Sequence, residues 1–141
     1  MAFQVSGKYV DIGLLILRVG IGIMMILHGA PKMFGGPEKW EAVGAATQHV
    51  GIHFAPMFFG FMAALAEFFG GILLLFGLYF GAAMALLVIN MAIATSYHLG
   101  SGDGLMGASH AIELGILFLS LLFIGPGIYS LDHHMKARLR R

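Results

Sequence analysis

Four runs of about 19–25 apolar residues dominate this chain, and they restrict it to folds that a lipid bilayer allows. The first runs from about Ile12 to Ala30, with Pro31 expected to end it. The second covers about Phe54 to Leu78, the third Phe80 to His98, and the fourth Met106 to Ile124. A helix needs roughly 20 residues to cross ~30 Å of hydrocarbon. Only a closed barrel competes, and its strands would alternate with period two. These runs do not alternate. The pattern predicts an all-α, integral membrane, antiparallel four-helix bundle, built as a single domain over residues 1–141.

Composition agrees. Hydrophobic residues make up 59% of the chain and charged residues 11%, against about a quarter charged in soluble domains. The net charge of +1 carries no basic stripe, so nucleic acid is not an expected partner. The absence of cysteine excludes disulfides, thiolate metal sites and Cys-ligated iron–sulfur clusters. The first apolar run is interrupted by Arg18, and no small-residue cleavage site follows it, so it does not read as a signal peptide.

The connections differ in kind. Little more than Tyr79 separates the second and third runs, which implies a tight hairpin. Gly100 to Gly104 forms a flexible polar loop. The first connection is longer. Its Pro37-Glu38-Lys39 reads as a helix start, with Trp40, Val43 and Val50 on one face, so a short interfacial helix anchored by Trp40 is expected. Lys136, Arg138, Arg140 and Arg141 make the tail basic, which predicts cytoplasmic termini and outward-facing first and third loops.

Arg18, His28, Glu67, His98, His110 and Glu113 lie within the apolar runs, where ionisable groups need a partner or a wet cavity. At 1.5 Å per residue from the cytoplasmic edge, Arg18 lies at roughly 10 Å, Asn90 at roughly 15 Å and Glu67 at roughly 16 Å. Arg18 is therefore expected to meet Glu67, with Asn90 bonding either. His28, His98, His110 and Glu113 form an outer group. His110 and Glu113, three residues apart, are expected to share a face, with Ser120 beyond them. On the first helix Asp11, Arg18, His28 and Lys32 fall within about a 100° arc, a polar wall expected to face the interior.

Each feature also has a plainer explanation. An Arg18–Glu67 pair can simply fix helix register. His28, His98, His110 and Glu113 are residue types that ligate metal, but one His-x-x-Glu pair falls short of a bundle di-metal motif. A haem would need His28 with His98 or His110. Interface snorkelling accounts for Lys32 and Asp103, surface solvation for His49 and His53, and packing for the ten methionines. His133, His134 and the tail read as a solvated end against anionic lipid. Nucleophile triads, phosphate loops and dinucleotide fingerprints are absent.

Several strings now read together: LRVGIGIMMILHGAPKMFGG from Leu17, AEFFGGILLLFGL from Ala66, HLGSGDG from His98, and IELGILFLSLLFIGPGIYSLD from Ile112. In order and spacing they resemble the DoxX family of small four-helix membrane proteins, over nearly the whole chain. Arg18, His28, Lys32, Glu67 and Glu113 match its polar pattern; His110 rests on depth and spacing alone. The resemblance implies a bacterial or archaeal plasma-membrane protein linked to quinone oxidoreductases.

The leading expectation is thus a membrane component of a redox system. It would bind a quinone or similar isoprenoid lipid in a polar intramembrane pocket, with Arg18, His28, Lys32, Glu67, Asn90, His98, His110 and Glu113 binding the ligand or relaying protons. No haem, flavin or metal is expected, and a partner protein would supply electrons. Two alternatives remain open: an anchor or assembly subunit of a larger complex, and a small-solute or proton pathway. Any enzymatic role would be that of an oxidoreductase subunit, and a homo-oligomer through the glycine faces is left undecided.

Overall fold

A backbone in hydrocarbon has to satisfy its own N–H and C=O groups, and that drives each apolar run into a helix. The computed structural model describes residues 7–139, which are 86% helical and contain no strand. Four helices are long and apolar enough to cross a membrane: α1 (Gly7–Met33), α3 (Pro56–Phe76), α4 (Phe80–Gly100) and α5 (Gly104–Ile124). Two short helices complete the chain, α2 (Gly36–Gly44), which continues into a 3₁₀ turn at Ala45–Val50, and α6 (Leu131–Leu139).

Two boundaries depart from the sequence reading. Pro31 does not end α1. It lies in the last turn, where it removes one backbone donor, and the ladder resumes with Phe34 N–H donating to the Ala30 carbonyl at 3.0 Å. Helix α6 is the second, since its residues form no apolar run that would announce a helix; none of them is buried, as expected of a solvated end.

The spanning helices pack in chain order, α1 on α3, α3 on α4 and α4 on α5, which leaves a gap between α1 and α5. Leu74, Met84, Leu87, Phe118 and Leu121 fill the core. Lipid gives helices no hydrophobic reason to associate, so close backbone contact takes over. A Cβ on Gly29 would lie 2.5 Å from the Phe68 backbone nitrogen, and one on Gly71 2.9 Å from that of Ile26. Gly44 and Gly60 do the same for α2 and α3. The interfacial helix α2 is thereby seated on α3, with Trp40 against Phe61 at 4.9 Å between ring centroids.

The end of the bundle where α1 begins and α6 lies is tied by polar groups. The carboxylate of Asp11 accepts the Ile128 N–H at 3.0 Å. Asp132 accepts the N–H groups of Tyr79 and Phe80, both at 2.9 Å, and so caps α4 from α6. Tyr79 has φ +45°, a conformation L residues rarely adopt, and this cap holds it there.

Gly29→Val is expected to cost about 3 kcal/mol or more, because backbone lies on both sides of the contact. Gly13→Ala, with open space around it, should be neutral or stabilising. Asp132→Ala should cost about 1–2 kcal/mol through the lost cap. Unfolding titrations in mixed micelles would measure all three.

Candidate functional site

Glu67 lies mid-way along α3 and is only 4% exposed. Lys32, from the last turn of α1, donates to both its oxygens, at 2.6 Å to Oε1 and 2.7 Å to Oε2. Asn90 of α4 adds its Nδ2 to Oε1 at 2.9 Å. Three helices therefore converge on one carboxylate. Trp40 fixes the lysine's backbone, its Nε1 donating to the Lys32 carbonyl at 2.9 Å.

A cavity opens on each side of this pair. One, of about 290 Å³, lies under α2 and the 3₁₀ turn; Lys39, Tyr97 and His98 share its lining with Lys32, Glu67 and Asn90. The other, of about 130 Å³, lies in the gap between α1 and α5. His28 of α1 and His110 of α5 line this second cavity, exposed, with ring centroids 5.6 Å apart. Lys32, Glu67 and His98 line both. His98 is steadied by Asp103, whose Oδ2 lies 2.7 Å from its Nδ1.

Two expected partnerships are not present. Arg18 does not meet Glu67. Its Nη1 donates to the Pro126 carbonyl at 2.6 Å, and its Nη2 to those of Tyr129 at 3.1 Å and Leu75 at 3.3 Å. The depth estimate ignored the loop after α5, which folds back over Arg18 and offers carbonyls nearer than Glu67. Lys32, assigned to interface snorkelling, takes the carboxylate instead, because α1 continues past Pro31 and carries it over α3. Glu113 does not share the cleft with His110. It is exposed on the outer face of α5, with no hydrogen bond or ion pair among the described residues. Three residues advance a helix by 300°, so the two share an edge while only one looks inward. Ser120 lies on the same outer side and bonds the Ile116 carbonyl of its own helix.

The polar wall of α1 therefore serves two ends, with Asp11 and Arg18 holding the terminal loop and His28 and Lys32 reaching the cavities. Lys39 and Tyr97 were missed, since nothing in the sequence places α2 above α4. Among the described residues, no three His, Asp or Glu side chains cluster closely enough to hold a metal ion.

Four membrane-length helices around a partly buried, hydrogen-bonded ion pair make this a small multi-pass membrane protein. A sequence model of the DoxX family matches residues 13–99, and the chain belongs to that family. It is 30% identical over 138 residues to the inner membrane protein YqjF of Escherichia coli, covering 93% of this chain and 98% of the relative. It is also 30% identical over 132 residues to an uncharacterized protein of Haemophilus influenzae, covering 89% and 92%. No solved structure matches it.

Lys32→Met should cost about 3 kcal/mol or more, because it strands the Glu67 anion away from water. Glu67→Gln should cost about 1–2 kcal/mol, since the half-exposed lysine can still reach water. The double variant should resemble Glu67→Gln alone. A double-mutant cycle of unfolding free energies measures this, and equal losses in the two single variants would contradict it.

Proposed function

We propose that this protein is the membrane component of a redox system and holds a quinone, or an isoprenoid lipid with a comparable ring, in the cleft between α1 and α5. The observation that carries this reading is the His28–His110 pair at the mouth of a cavity floored by Lys32 and Glu67. The gap is lateral, so a ring head group on an apolar tail can enter from the bilayer without crossing water. His28 and His110 supply ring nitrogens that can donate to or accept from ring oxygens and can carry a proton on either nitrogen. Reduction of a quinone consumes two electrons and two protons. The histidines and the Lys32–Glu67 pair would pass the protons, and the cavity lined by Lys39 and His98 gives them an approach from the far side. The chain contains no convincing haem or flavin motif, so a partner protein would supply the electrons.

Trp40, the chain's single tryptophan, bonds the Lys32 carbonyl and reports on this region. A short-chain quinone should quench its fluorescence saturably. His110→Ala should weaken binding about tenfold, the effect of one or two lost hydrogen bonds, and Glu113→Gln should leave it unchanged. Quenching that rises linearly without saturation would refute the site.

A second reading, a subunit of a larger membrane complex, draws on Glu113. A carboxylate exposed near the middle of a spanning helix calls for a donor from outside the chain, such as a partner helix carrying a cation at that depth. Glu113→Leu would release such a partner on copurification while leaving quinone quenching intact.

A further inference from the structure

A groove of about 580 Å³ runs along the terminal end of the bundle, far from the Lys32–Glu67 pair. Leu15 and Val19 of α1, Leu75 and Phe76 of α3, and Leu131 and Met135 of α6 make its walls apolar. Helix α6 turns one face to it, since Leu131, His134, Met135 and Arg138 recur at helical spacing. Arg18 also lines the groove. It is 2% exposed, and its Nε has no hydrogen-bond partner. Its other nitrogens meet only carbonyls, and it forms no ion pair among the described residues. A full positive charge is thus buried without a counter-charge among the described residues, beside apolar walls, in a groove that Tyr129 and the exposed Arg138 also line.

We propose that this groove is a binding site for an anionic phospholipid. The acyl chain lies against Val19, Leu75 and Met135. The phosphate sits at the rim with Arg138, above the buried charge of Arg18. A free anion finds little to replace its hydration among such walls, and a second copy of this chain would bring another basic end against the first. A negatively charged head on an apolar chain satisfies both halves of the groove. This site is separate from the α1–α5 cleft and does not depend on what the cleft holds.

Native mass spectrometry of the full chain, released from micelles with equal phosphatidylglycerol and phosphatidylcholine, tests the assignment. The wild type should retain phosphatidylglycerol about tenfold over phosphatidylcholine. Arg138→Gln should lower that preference about fivefold, and Val19→Trp, which fills the groove, should abolish retention. Neither change touches the carbonyl bonds of Arg18, and unchanged thermal melting would verify that both variants fold. Millimolar inorganic phosphate should leave the bound lipid in place. Equal retention of the two lipids, wild-type retention by both variants, or displacement by inorganic phosphate would each overturn the proposal.

Discussion

Hydrocarbon offers a carboxylate nothing to bond, so Glu67 can sit in mid-span only because two other helices deliver partners to it and a third segment holds one of those partners in place. Lys32 arrives because α1 passes through Pro31, and Asn90 because α4 packs beside α3. Trp40 holds the lysine's backbone because α2 is pressed onto α3 at Gly44 and Gly60. Moving any one of these segments leaves a buried polar group unsatisfied. The pair therefore couples the helix packing to the shape of both cavities beside it.

The opposite end uses a different solution. Arg18 is held by carbonyls at helix ends and in the closing loop, including Leu75 in the last turn of α3, where the helix dipole is negative. Gly77 makes room for it: a Cβ there would meet the guanidinium carbon at 2.9 Å. The Gly-Pro-Gly-x-Tyr-Ser-Leu-Asp sequence after α5 thereby gains a physical reason. It supplies carbonyls to Arg18, an N–H to Asp11 and a cap to α4. One wall of α1 serves a structural lock at one end and a polar cavity at the other.

The two carboxylates of the second and fourth spans have opposite fates, and this bears on function. Glu67 is enclosed and paired. Glu113 faces out, so the cleft carries imidazole and ammonium groups around a single carboxylate. Membership of the DoxX family fixes the setting in a membrane, whereas the chemistry has to be argued from the cleft itself.

Span number, helical character and the polar wall of α1 were legible in the sequence, because hydropathy and the 3.6-residue period act locally. So was the inventory of groups that needed partners. Which partner each one found was not, because depth along a helix says nothing about rotation around it or about loops that fold back. Arg18 and Glu67 lie about 6 Å apart in depth by residue count, within reach of an arginine side chain, yet the closing loop intercepts the first and Lys32 reaches the second. His110 and Glu113 sit one turn apart on one helix, yet only the packing of α5 on α4 decided that the histidine faces the cleft and the carboxylate faces out. The sequence determined what had to be buried or paired in the bilayer; the tertiary structure chose the pairs, since rotation and loop closure are set by contacts between segments remote in the chain.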